Sequence, residues 1–146
     1  MRMLKKGLIP SPSRIWYNKW IEKNAKGEVL DVGKSTLWEY GFPTIDTSSK
    51  LNPTFIGDIC DCVLKDNSYD VVLCNGMYEF VMFPQRMVDE CMRILKPKGK
   101  VIFGFVGKGY KPYKREWLFY EHGDIKFTGE IKRKDFNNYH FIICSK

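Results

Sequence analysis

The chain has no Cys-x-x-Cys pair, only two histidines, and no apolar run near the roughly 18–20 residues that span a bilayer. Its five cysteines, Cys60, Cys62, Cys74, Cys91 and Cys144, are odd in number, and the one close pair, in CDC, has no matching second pair. Zinc ligation and a disulfide framework are both poor fits, so the cysteines read as small, reduced core residues, and no metal is expected. The opening MRMLKKGLIPSPS is basic but has neither a sustained apolar core nor a small-residue cleavage site, which argues against a secretory signal. A cytoplasmic protein is expected. No repeat, low-complexity tract or long linker divides the 146 residues, so a single domain is expected.

What is present is a globular composition, 44% hydrophobic and 15% aromatic, with a net charge of +7. The charge is uneven. Residues 1–27 carry +6, residues 28–97 carry −5, and residues 98–146 carry +6. An acidic middle between basic ends can frame a site for an anionic or nucleic-acid partner, although a lysine-rich solvated surface gives the same numbers.

The hydrophobic pattern predicts an irregular tail over 1–12 and a helix over 13–25. Ser13 is its cap, Ile15, Trp16, Tyr17, Trp20 and Ile21 are its apolar face, and Gly27 sits just past its end. Short strands follow in EVLDV, PTIDT and PTFIGD, ending at Asp31–Val32, Asp46 and near Asp58. YDVVLCN (69–75) has the continuous apolarity of a strand buried on both faces. PQRMVDECMRILK predicts a helix with Met87, Val88, Cys91, Met92 and Leu95 as its stripe; KPKG is a turn and KVIFGFV another buried strand. Residues 107–146 are expected to supply a helix in YKREWLFYE and an antiparallel pair, DIKFTGEI with YHFIICS, joined across KRKDFNN. This succession predicts an open, doubly wound, mostly parallel α/β sheet with an antiparallel C-terminal strand pair.

VLDVGKST (29–36) allows two functions. A triphosphate loop, G-x-x-x-x-G-K-[ST], needs its first glycine at position 28, which is Glu28, and a full helix afterwards, which Gly41 and Pro43 cut short. An adenosyl-type loop needs a strand ending D-x-G and acidic residues at neighbouring strand tips, and Asp31, Gly33, Asp46 and Asp58 supply them.

VLDVG, TIDTS, FIGDICD, DNSYDVVLCNGMYEFV and RMVDECMRILKPKGKVIFGF, in this order over 28–106, resemble the class I S-adenosylmethionine-dependent methyltransferases of the small-molecule, compact Rossmann-like type. The resemblance implies S-adenosyl-L-methionine as cofactor. It places Asp31, Gly33, Lys34 and Ser35 at the methionine end, and Asp46 on the ribose with Thr47 beside the adenine. Asp58 and the backbone of Ile59 would read the adenine edge, with Asn75, Gly76 and Met77 lining the pocket near the sulfonium. The chain also departs from the family. Of a G-x-G-x-G loop only Gly33 remains, so Lys34 must point away from the sulfonium. Phe80 stands where a histidine is common. The helices on one flank are abbreviated, which favours a homodimer or a protein partner there.

Methyl transfer demands alignment more than a catalytic group, and a base only where the acceptor must lose a proton. His122 and His140 read as surface and strand residues, and no catalytic base is assigned. Three functions are open: methylation of a small molecule; methylation of RNA or protein through Lys108–Arg115 and Lys132–Lys134; or a non-catalytic relative acting through protein contacts. The absence of D/N-P-P-[YF] at CNGMY argues against amino methylation of nucleic-acid bases.

Overall fold

Val29–Val32 and Tyr69–Asn75 pair in parallel at the centre of a seven-stranded sheet, as their apolar runs require. The structure, a computed structural model, describes residues 1–7, 9–77, 81–106, 125–136 and 139–146. In chain order the elements are β1 (Arg2–Met3), α1 (Pro12–Asn24), β2 (Val29–Val32), β3 (Trp38–Glu39), β4 (Thr44–Asp46) and β5 (Phe55–Ile56). They continue with β6 (Tyr69–Asn75), α2 (Pro84–Ile94), β7 (Leu95–Val106), β8 (Glu130–Phe136) and β9 (Tyr139–Ser145). Single 3-10 turns occupy Ser49–Leu51 and Ile59–Asp61.

The sheet order is β5-β4-β2-β6-β7-β9-β8, while β1 and β3 form a separate antiparallel ribbon. The five strands from β5 to β7 are mutually parallel, and β9 lies antiparallel between β7 and β8. From β2 the chain steps outward through β4 to β5, then returns to β6 and continues the other way. The reversal between β2 and β6 is the switch point above which open α/β sheets bind ligands. The expected fold class is the one observed.

Local details differ from expectation. Ser11, not Ser13, caps α1, accepting from Arg14 N, and α1 ends at Asn24 with Ala25 as its cap. Gly27 belongs instead to the turn before β2, where a Cβ would lie 2.5 Å from the Asp70 carboxylate. The tail contains β1, and no helix follows β2. Ser35 Oγ accepts from Leu37 N and Trp38 N, turning the chain into β3. KPKG lies inside β7 as a register irregularity, with Lys98 at φ +67°. β8 takes most of KRKDFNN and leaves residues 125–128 outside the sheet, because Phe136 pairs with Tyr139. The YKREWLFYE helix, His122, Lys108–Arg115 and Tyr78–Phe80 lie outside the described residues.

Strand alternation splits the core. Leu30, Val32, Val72, Cys74, Val101 and Phe103 face α2; Val29, Val71, Leu73, Ile102 and Phe141 face α1. On the α2 side, Arg93 ties the chain leading to β6 onto the helix. It donates to Glu90 (2.6 Å), Asp66 (2.6 Å), Leu64 O (2.8 Å) and Cys62 O (3.2 Å). Arg93→Ala is expected to lower the unfolding free energy in urea by about 2–3 kcal/mol, and Arg93→Lys to recover less than half, because an ammonium cannot reproduce the guanidinium fork.

Candidate functional site

A cavity of about 840 Å³ opens over the C-terminal ends of β2, β4 and β6. All eleven residues expected at the cofactor line it: Asp31, Gly33, Lys34, Ser35, Asp46, Thr47, Asp58, Ile59, Asn75, Gly76 and Met77. Strand ends bring Asp31, Asp46 and Asn75 to one edge of the sheet, and the Ile59–Asp61 turn swings Asp58 and Ile59 to the same side. The volume falls within the roughly 300–1,000 Å³ usual for small-molecule sites.

The three aspartates differ in what holds them. Asp46, at the tip of β4, accepts from Lys34 N (2.9 Å) and Ser48 N (2.8 Å), one bond to each oxygen. A carboxylate has about four lone-pair sites, so two remain for other donors. Asp58 is exposed and accepts from Cys60 N (2.9 Å), capping its turn. Asp31 receives no hydrogen bond to its carboxyl from any described residue. Burial drives its pKa up to about 7 against the opposing pull of Arg14.

The degenerate loop has its own logic. Gly33 sits at φ +83°, the left-handed region that favours glycine, and a Cβ there would also displace the Met77 side chain, whose Sδ would lie 2.5 Å away. Lys34 Nζ donates to Asn52 O (2.9 Å), which draws the cation away from the loop, as the resemblance requires. The Ser35 hydroxyl is committed to the turn.

Arg14 was not anticipated. It is 6% exposed and lines the cavity from the first turn of α1. Its guanidinium stacks on Trp38 at 3.6 Å and lies 5.2 Å from the Tyr17 ring. Nη2 donates to Tyr40 Oη (3.4 Å), and Tyr40 in turn donates to Asn18 Oδ1 (2.6 Å). The Asn75 amide oxygen, turned toward the guanidinium, accepts from Nη2 (3.3 Å) and Nη1. Asn75 has room to do this because its partner in β7 is Gly104, where a Cβ would come within 2.3 Å of the amide. Arg14 Nε has no hydrogen-bond partner among the described residues.

Strand parity explains the convergence. Asp31 shares a face with Val29, and Asn75 with Val71 and Leu73, so both turn toward α1. On α1, Arg14 begins the stripe that continues through Tyr17, Asn18, Ile21 and Ala25, whereas Ile15, expected on that face, is 38% exposed. A buried guanidinium with an unfilled donor suits a carboxylate, and an unbonded carboxyl beside it suits an ammonium; together they fit an α-amino acid group.

Known proteins share part of this sequence and the fold. The methyltransferase-domain family matches residues 34–103. An uncharacterized protein of Methanocaldococcus jannaschii, MJ1123, is 34% identical over 49% of this chain and 38% of its own length. The ubiquinone biosynthesis O-methyltransferase of Vibrio atlanticus is 33% identical over 58% of this chain and 35% of its own. The chain thus spans little more than a third of these relatives. Among solved structures, a SAM-dependent methyltransferase of Thermotoga maritima superposes with a TM-score of 0.67 at 18% identity, covering 91% of this chain and 90% of that one. One of Aquifex aeolicus gives 0.64 at 16% identity, covering 92% and 93%. Residues 34–103 thus match the methyltransferase-domain family, and the fold is the one seen in these solved SAM-dependent methyltransferases.

Proposed function

We propose that the chain binds S-adenosyl-L-methionine in this cavity and transfers its methyl group to a small-molecule acceptor. The observation that carries this is the convergence of Arg14, Asp31, Asp46, Asp58 and Asn75, from five separate segments, on one cavity at the switch point. The ubiquinone biosynthesis O-methyltransferases among the relatives support a small acceptor. The roles follow from the chemistry of each group. Asp46 takes the ribose hydroxyls, Asp58 and the backbone of Ile59 take the adenine edge, and Arg14 and Asp31 take the carboxylate and ammonium of the methionyl end.

When bound, the cofactor supplies an already activated methyl group. What the chain adds is orientation, which alone can contribute roughly 7–11 kcal/mol. Trp38, Met77, Val81 and Met82 line the cavity beside the polar groups and exclude water from the transfer. No helix among the described residues is long and apolar enough to cross a membrane; a cytoplasmic location is part of this proposal. So is a second copy or a protein partner at the thin flank, where edge strand β5 leaves Phe55 and Ile56 exposed.

Calorimetric titration with S-adenosylmethionine and S-adenosylhomocysteine is the test. Saturable binding of both is expected. The absence of heat and of any thermal shift at millimolar ligand would instead support a non-catalytic relative. Exposed Lys132, Arg133 and Lys134 on edge strand β8 favour, as a second reading, a nucleic-acid acceptor. In that case substrate affinity falls steeply with salt, while a flat response removes it.

A further inference from the structure

We propose that Asn18 and Tyr40 are positioning residues: Tyr40 accepts from Arg14, Asn18 takes the Tyr40 proton, and the guanidinium is thereby set in one orientation before a ligand carboxylate arrives. The inference rests on the reading of Arg14 as the carboxylate's partner, and extends it to a residue, Asn18, that does not line the cavity.

Two spacings bring the four side chains together. Arg14 and Asn18 are four apart on α1, one above the other on its buried face. Trp38 and Tyr40 are two apart on extended chain at β3, so they turn to the same side. Arg14 stacks on Trp38 at 3.6 Å and donates through Nη2 to Tyr40 Oη at 3.4 Å, while Tyr40 donates to Asn18 Oδ1 at 2.6 Å. The Asn75 amide oxygen accepts from Nη1 and Nη2 on the β6 side.

Donor and acceptor chemistry fixes the direction of this chain. A guanidinium has five N–H groups and no acceptor, so the Tyr40 oxygen can only accept from it. A phenol has a single proton, which then needs an acceptor elsewhere, and Asn18 Oδ1 is that acceptor. Water does not readily stand in for the amide, because Asn18 is 2% exposed. With its proton drawn toward Asn18, the Tyr40 oxygen presents its lone pairs to Arg14. The shorter bond is the anchor, and the longer one is the link that it steers.

The consequence for binding is preorganisation. An arginine has four side-chain torsions, and ordering such a side chain as a ligand arrives weakens affinity. Here the Trp38 face sets the guanidinium plane, and Tyr40 and Asn75 set its rotation within that plane. The ordering therefore occurs on folding and not on binding.

The experiment is calorimetric titration of S-adenosylhomocysteine and of 5′-methylthioadenosine, which lacks the carboxylate. Both are titrated into the unsubstituted chain, Tyr40→Phe, Asn18→Leu, the double variant and Asn18→Asp, each with a thermal melt. Phenylalanine keeps the ring and its stack on Phe42, at 6.0 Å between centroids, and removes only the oxygen. Expected is about a fivefold loss of S-adenosylhomocysteine affinity in Tyr40→Phe and in Asn18→Leu, with 5′-methylthioadenosine binding unchanged. Because Asn18 acts through Tyr40, the double variant falls no further than Tyr40→Phe alone. Asn18→Asp keeps an acceptor oxygen and retains most of the affinity. A merely structural role lowers the melting temperature and leaves the ratio of the two affinities unchanged, and that result overturns the inference. Losses that multiply in the double variant overturn it as well. Should Asn18→Leu not fold, the ratio must still fall in Tyr40→Phe and hold in Asn18→Asp. Silence of the unsubstituted chain toward both ligands overturns the cofactor site itself, which an unchanged ratio leaves standing.

Discussion

Asp46→Ala is expected to bind S-adenosylhomocysteine tenfold or more weakly than the unsubstituted chain. The wild-type carboxylate sits at the tip of β4 with one oxygen on Lys34 N and the other on Ser48 N, and its remaining lone pairs are free for both ribose hydroxyls. Each charge-assisted bond contributes about 1.5–3 kcal/mol, so even one lost bond amounts to roughly tenfold. The substitution also strips an acceptor from the Gly33-Lys34 loop, so the loop that carries the methionyl end loosens together with the ribose contact. Calorimetry with 5′-methylthioadenosine separates the two effects. That ligand keeps the ribose and loses the amino acid, so its affinity should fall by the ribose share alone. An unchanged affinity for both ligands would place the ribose elsewhere.

How much of this was written in the chain depends on which signals act locally. The central strands and the α2 stripe were legible because burial on a sheet imposes a continuous apolar run and burial on a helix imposes a 3.6-residue stripe. The acidic strand tips were legible too, since Asp31, Asp46 and Asp58 each close a short apolar segment. The β8 register was not. EIKRKDF is polar because it forms an exposed edge strand, and its pairing with β9 is set by long-range contacts that leave no alternation in its own sequence. KPKG reads locally as a turn, yet Tyr69 and Val71 of β6 pair on either side of it and hold it inside β7.

Arg14 illustrates the sharper limit. Ile15, Trp16 and Tyr17 drew the apolar face one residue too far along the helix, because arginine is counted as polar wherever it falls. Read at strict helical spacing, Arg14, Tyr17, Asn18, Ile21 and Ala25 form one stripe, and two polar residues in its first half were the available sign that this end of the helix faces a site and not a core.

Arg14→Met is therefore the most informative single change. Methionine keeps the length of the side chain and packs on Trp38, so the helix–sheet contact is largely retained, while the guanidinium's bonds to Tyr40 and Asn75 are lost. Two consequences are expected together. Affinity for S-adenosylhomocysteine falls by roughly 10–150-fold, the worth of charge-assisted bonds to a carboxylate, while 5′-methylthioadenosine, which has no carboxylate, binds as before. The pH midpoint at which Asp31 titrates also moves upward from about 7, because Arg14 is the charge that holds Asp31 down and burial then acts unopposed. Arg14→Lys separates the two: it preserves the positive charge, and with it a midpoint near the original, but lacks the planar fork and recovers only part of the affinity. A guanidinium that served only to pack α1 against the sheet would weaken both ligands equally through stability and leave the midpoint where it was.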